Sequence, residues 1–175
     1  TRVRSSAASD VYKRQINLRL GVPKEPENET RVGIVPSSMK KLLKAGFEVL
    51  VEKGAGTAAN YSDADYESAG AKLVSRKEAL DCENIICINF PGVEGIAEKT
   101  NLACVADPFR NPDYVKQCIK AKITLMSMDM IPRRLSRAQS MDVNSSQDNL
   151  AGYKAVLLGA ATVSYTHLTL PTILR

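Results

Sequence analysis

From Leu18 onward, short runs of aliphatic and β-branched residues alternate with stretches in which apolar residues recur every three or four positions. LRLGVP (18–23) reads as a strand. PSSMKKLLKAGF (36–47) reads as a helix, because Met39, Leu42, Leu43 and Phe47 fall at helical spacing. Pro36 and Ser37 suit its start and Gly46 its stop. FEVLVEKGAG then predicts a strand running into a Gly-rich turn, and SDADYESAG a short helix capped by Ser62 and closed by Gly70. AKLVS predicts a brief strand and SRKEAL a short helix. NIICINFP is almost wholly apolar, the composition expected of a strand covered on both faces. VEGIAEKT, LACVADP, NPDYVKQCIKA and KITLMSMDMIP continue the rhythm as helix, strand, helix and strand.

Strands that alternate with helices over the whole stretch predict an α/β fold: an open, mainly parallel sheet with helices on both faces, Rossmann-like or flavodoxin-like. One segment breaks the rhythm. RRLSRAQSMDVNSSQDN lies between an apolar strand and the helix-like NLAGYKAVLLGA, and it is crowded with Arg, Ser, Gln, Asn and Asp. Polar loops at the carboxyl ends of strands are where open α/β sheets bind ligands, so this segment is the leading site candidate.

The two ends do not share the pattern, and they distort the composition. One permitted coding of residues 1–15, TRVRSSAASDVYKRQ, has a reverse complement that translates from its third base as VSYTHLTLPTILR, which is residues 163–175. Both ends therefore read as one oligonucleotide, resembling the transposase mosaic end and adapter of sequencing libraries, on opposite strands. Residues 1–15 and 163–175 are accordingly set aside from fold reasoning. Residues 16–162 form the expected domain, read as a fragment of a longer frame. Five of the 24 basic and one of the 19 acidic residues lie in the ends, so the net charge falls from +5 to about +1. The basic balance that would have pointed to nucleic acid is then absent, and no nucleic-acid partner is expected. The only histidine, His167, also falls in the set-aside end.

With no histidine and no C-x-x-C spacing among Cys82, Cys87, Cys104 and Cys118, no metal site is expected, and the cysteines read as buried or free thiols. No apolar run approaches the length of a membrane span. GAGTAAN (54–60) follows a strand but has Ala59 where G-x-G-x-x-G needs its third glycine, so it reads as a tight turn, not a phosphate loop. Lys24, Glu25 and Arg31, just after the first strand, can hold a substrate carboxylate, Arg31 bidentately, or can be the exposed charges of a solvated loop. In RRLSRAQSMDVNSS, Arg134, Gln139, Asp142 and Ser145 supply a cation, an amide, a carboxylate and a hydroxyl within twelve residues. Such a set can orient a carboxamide or ribose, or it can be a helix entry stabilised by local hydrogen bonds.

GVPKE, NETRV, GFEVLVEKGAG, D-x-x-Y-x-x-AGA (63–71) and above all PRRLSRAQSMD...SS...NLAGYKAV (132–156) resemble the amino-terminal part of the alpha subunit of proton-translocating NAD(P) transhydrogenases. Alanine dehydrogenases are the related second family. They carry a histidine and a lysine in the stretches matching LACVADPFR and IICINFPG, where this sequence has no histidine and, in the second, no lysine. The resemblance implies hydride transfer from NADH to NADP, with NAD(H) contacted by this segment and NADP held on another subunit or domain. It also implies partner subunits that bind NADP and cross the membrane, a homodimer of alpha subunits, and a place on the cytoplasmic side of a bacterial inner membrane. By motif, Gln139, Asp142 and Ser145 match cofactor-contacting positions. The family's P-R-I-S-R-A-Q is one residue shorter than PRRLSRAQ, so Arg133 or Arg134 takes the arginine position, Arg134 first. No acid or base is required in such a reaction. The sequence as given is expected to be inactive and to bind NADH weakly. The alternatives are an alanine dehydrogenase-like NAD-dependent oxidoreductase and a non-enzymatic α/β binding domain.

Overall fold

The computed structural model describes residues 18–132 and 134–162; the two set-aside ends, residues 16 and 17 of the expected domain, and Arg133 lie outside the described residues. The chain divides into two compact units between Met128 and Asp129. The first unit carries six strands: β1 Leu18–Val22, β2 Phe47–Glu52, β3 Lys72–Val74, β4 Asn84–Asn89, β5 Asn101–Val105 and β6 Thr124–Ser127. They form one sheet in the order β3-β2-β1-β4-β5-β6. Every pairing is parallel, with β1 central: Leu20 is registered on Val49 of β2 and on Asn84 of β4. The order reverses between β1 and β4, the switch point of a doubly wound sheet.

Four helices connect these strands: α1 Met39–Lys44, α2 Asp63–Ser68, α3 Arg76–Leu80 and α4 Pro112–Lys120. Alternating side chains of a strand face opposite ways. Val49 and Val51 of β2 join one core, with Leu20, Val22, Met39 of α1 and Tyr66 of α2. Leu50 between them joins another, with Leu80 of α3, Ile85, Leu102, Cys104 and Cys118 of α4. The expected sheet with a helical layer on each face is thus present. NIICINFP lies between the two, since Ile85 and Cys87 belong to the second core and Ile86 packs against the first.

Local chemistry fixes the short helices. Ser62 and Asp65 form a capping box on α2, and Ser75 and Glu78 repeat it on α3, so two six- and five-residue helices are each stabilised at the amino end. Tyr66 is fully buried and its hydroxyl donates to the Ile34 carbonyl at 2.8 Å. The helix expected over 36–47 is shorter, a 3-10 turn at Pro36–Ser38 followed by α1, because the chain turns at Gly46 and Phe47 opens β2.

VEGIAEKT is not a helix. It is a turn-rich loop in which Gly95 (φ 81°) and Lys99 (φ 66°), with Gly92 (φ 83°) just before it, take left-handed conformations. Two such glycines break any helical run, and the spacing of Val93 and Ile96 reflects only their packing against the second core. The four cysteines are buried free thiols in or beside that core, as the spacing implied. Burial pushes the Cys82 thiol up to about 11 and raises Cys118 as well, whereas Cys87 is raised first by its hydrogen bond with Cys104.

A 3-10 turn at Met128–Met130 spans the boundary, and the second unit continues with α5 Ser136–Gln139 and α6 Val143–Thr162. No residue of α6 is buried.

Candidate functional site

All four residues singled out in RRLSRAQSMDVNSS fall in the second unit. The segment is more helical than its composition predicted. Arg134 sits exposed in the turn before α5, whose amino end has no side-chain cap at Leu135. Gln139 is the last residue of α5, and its side chain is exposed. Three residues later Asp142 sits immediately before α6. Its Oδ1 accepts the backbone N–H groups of Asn144 (3.0 Å) and Ser145 (3.2 Å), and its Oδ2 accepts the Ser145 hydroxyl at 2.5 Å. Ser145 therefore lies inside the first turn of α6, not in a loop.

The structure thus brings Asp142 and Ser145 together as a helix cap. A carboxylate at that end also meets the positive pole of the helix dipole. The Asp142 carboxylate is engaged by the cap, while the Ser145 oxygen, having donated its proton, keeps acceptor capacity. Gln139 offers one amide carbonyl and two N–H donors, the complement of a carboxamide. Asn144 is tied back by its Nδ2 donating to the Asp129 carbonyl at 3.4 Å.

The loop after β1 is built otherwise. The Arg31 guanidinium forks onto Glu29, Nε to Oε1 at 2.8 Å and Nη2 to Oε2 at 2.7 Å, so the fork that sequence offered to a substrate carboxylate has an internal partner. That bond holds the Glu29 carboxyl down at about 2. Glu52 at the end of β2 accepts the Lys24 backbone N–H at 2.7 Å and Arg76 Nη1 at 3.2 Å. Glu25 is only 9% exposed. It accepts the N–H of Ile88 (2.5 Å) and of Asn89 (3.0 Å), and Nδ2 of Asn89 (3.2 Å). Asn89 was not singled out from sequence. The signal lay in its position at the end of the apolar run that becomes β4.

GAGTAAN is a turn, as expected: Gly54 donates its N–H to Asp63 Oδ1 at 2.8 Å, and a 3-10 turn follows at Thr57–Ala59. Among the described residues no group of three or more His, Cys, Asp or Glu side chains could hold a metal ion, and no helix is long and apolar enough to cross a membrane.

A six-stranded parallel sheet in this order, with helices on both faces and a polar segment following its last strand, defines a Rossmann-like α/β domain of the kind associated with nucleotide-dependent dehydrogenases. The chain belongs to the family described as Alanine dehydrogenase/PNT, N-terminal domain, which matches residues 21–151. Over 147 residues it is 40% identical to the NAD(P) transhydrogenase subunit alpha of Haemophilus influenzae, a match covering 82% of this chain and 28% of that protein. The crystal structure of transhydrogenase from Sinorhizobium meliloti superposes with a TM-score of 0.77 at 37% identity, covering 82% of this chain and 44% of the other. An L-alanine dehydrogenase structure gives a TM-score of 0.63 at 29% identity over 69% of this chain and 34% of its own. The chain spans less than half the length of each of these relatives, from 28% to 44%.

Proposed function

We propose that this chain is the amino-terminal domain of a transhydrogenase alpha subunit, and that its segment 134–145 contacts the nicotinamide end of NAD(H) in the parent protein. The observation that carries the reading is the RAQSMD block. It presents Gln139 exposed at the end of α5, directly before a helix start organised by Asp142 and Ser145. The donor and acceptor set fits a nicotinamide nucleotide: an amide for the carboxamide, a hydroxyl oxygen and an arginine for ribose or phosphate oxygens. When bound, that nucleotide supplies the hydride. The residues of this chain bind and orient. Gln139 fixes the carboxamide, Arg134 meets a negatively charged oxygen, and the Asp142–Ser145 cap keeps α6 and the preceding turn in one geometry. Correct placement of two reacting groups, without any acid or base, can account for much of the rate of a direct hydride transfer.

The transhydrogenase likeness covers more of this chain than the alanine dehydrogenase likeness, and residues 18–162 contain no histidine. These two observations favour hydride exchange between nucleotides over oxidation of an amino acid. NADP on another domain or subunit, membrane-crossing partner subunits, pairing of two alpha subunits and a station at the cytoplasmic face of a bacterial inner membrane belong to the same proposal.

The test is Gln139→Ala in the parent protein. The expected outcome is a fall in single-turnover hydride transfer of about 10-fold or more, the size of a lost positioning hydrogen bond. Unchanged transfer between bound nucleotides would sink the reading.

A further inference from the structure

Residues 134–145 are organised mostly over short distances. α5 is a single turn with no side-chain cap at Leu135; the Gln139 N–H donates to the Leu135 carbonyl at 3.1 Å, the Met141 N–H to the Ala138 carbonyl at 2.9 Å, and Ser140 Oγ to the Arg137 carbonyl at 2.9 Å. Such bonds fix each turn but not the path of the block as a whole. Asn144 makes a bond of another kind. It is the second residue of α6 and half-buried. Its backbone N–H donates to Asp142 Oδ1 at 3.0 Å, and its Nδ2 donates to the Asp129 carbonyl, 15 residues back in the chain, at 3.4 Å. With both ends held, residues 129–144 form a closed loop of the Ω type, and Arg134, Gln139 and Asp142 lie on it. Helix stability does not account for an asparagine here. Asn is a weak helix former, and a helix's amino-terminal turn favours carboxylates, of which α6 has none. What Asn has and Asp lacks is an N–H donor, and here that donor is spent on Asp129.

We propose that Asn144 is a positioning residue for hydride transfer: its bond to Asp129 closes the loop that carries Gln139, and so sets where the Gln139 amide meets the nicotinamide carboxamide. It touches no reacting atom and acts through Gln139. This inference rests on the role proposed for segment 134–145 and concerns residues of the second unit only. An open loop of this length samples many more conformations than a closed one, and a small displacement of a positioning group slows a reaction that depends on alignment. The bond is at the long end of the hydrogen-bond range, so its loss should slow transfer less than loss of the Gln139 amide itself.

The experiment measures single-turnover hydride transfer and NADH affinity in the parent protein, and far-ultraviolet circular dichroism in this chain. The variants are Asn144→Asp, Asn144→Ala, Gln139→Ala, and Gln139→Ala combined with each of the first two. Asn144→Asp keeps the size and favours the helix start but cannot donate, whereas Asn144→Ala removes the donor without adding charge and is a better helix former. Each should slow transfer between bound nucleotides about 3- to 5-fold, with the NADH dissociation constant changed by less than about twofold and helicity retained. In the Gln139→Ala background neither should slow transfer further, because the two residues act as one unit. Transfer at the unsubstituted rate in either Asn144 variant, with Gln139→Ala slow, overturns the proposal and leaves the role of Gln139 standing. If Gln139→Ala has no effect, both readings fall. A slowing that comes only with lost helicity, or that adds in full to that of Gln139→Ala, also overturns the proposal.

Discussion

Residues 24–31 and residues 134–145 carry the same kinds of side chain, cations, carboxylates and hydrogen-bonding groups, in runs of similar length, yet they are held in opposite ways. In the first run Glu25, Glu29 and the loop's own backbone are matched by partners from β2, α3 and β4, across as many as 64 residues of sequence. In the second run Asp142 caps the helix through Asn144 and Ser145, within three residues of itself, and Gln139 and Arg134 stand exposed. A polar run saturated by its own fold has few groups left to offer a ligand. One organised mainly by near neighbours keeps its outward groups available but depends on a short helix start for its geometry. Polar composition alone therefore does not distinguish a site from a clamp; the sequence distance of the partners does.

Glycine substitutions test that contrast most sharply. An alanine at Gly21, in β1 next to the clamp, would place its Cβ 1.9 Å from the Ala79 carbonyl oxygen and 2.9 Å from its carbon. Gly21→Ala is expected to cost about 3 kcal/mol or more in chemical denaturation, because backbone stands on the far side and cannot yield. Asp142→Ala removes the cap of α6 and should cost about 1 kcal/mol, read as lost helicity in far-ultraviolet circular dichroism, with the buried thiols of the first unit still protected. Gly152→Ala has the opposite sign. A Cβ there meets nothing within 4 Å, so the helix gains about 0.5–1 kcal/mol and helicity rises. If Gly21→Ala and Gly152→Ala had equal effects, the two regions would not differ as described.

Acid provides the smallest and most local test. The Glu29 carboxyl is held at about 2, first by its hydrogen bonds from Arg31, against an ordinary value near 4.5. A carboxyl lowered on folding contributes stability above its unfolded value, and that contribution is lost as pH falls from about 4.5 towards 2. The melting temperature of the chain should drop across that window, and Arg31→Gln should flatten the drop while returning the Glu29 carboxyl ¹³C titration to the ordinary range. Salt should weaken the difference, because Arg31 is about half exposed. An identical pH profile in the two proteins would show that the clamp contributes nothing measurable.

The architecture was legible because it rests on local signals repeated along the chain. Ser62 and Ser75 announce their helices by a hydroxyl three residues before an acid, and both boxes close as written. VEGIAEKT misled because Val93 and Ile96 mimic a helical stripe, while the glycines at 92 and 95 decide the backbone. The polar stretch before α6 was read too long as a loop. Asp142 looked like a ligand contact on composition, but it also starts the helix that contains Ser145. Glu25 and Asn89 were beyond reach for a different reason: their bonds exist only once β1 and β4 lie side by side, 63 residues apart in the chain. Residue roles that depend on strand order cannot be read before the order is known.

The distribution of sulfur makes the molecule its own clock. All four thiols, Cys82, Cys87, Cys104 and Cys118, are buried in the first unit, and none lies in residues 129–162. The buried thiols whose acidity is suppressed need both solvent access and deprotonation before they react. The rate at which a thiol reagent modifies the native chain therefore measures opening of the sheet alone and is blind to fraying of α6, so labelling and helicity together time the two units separately.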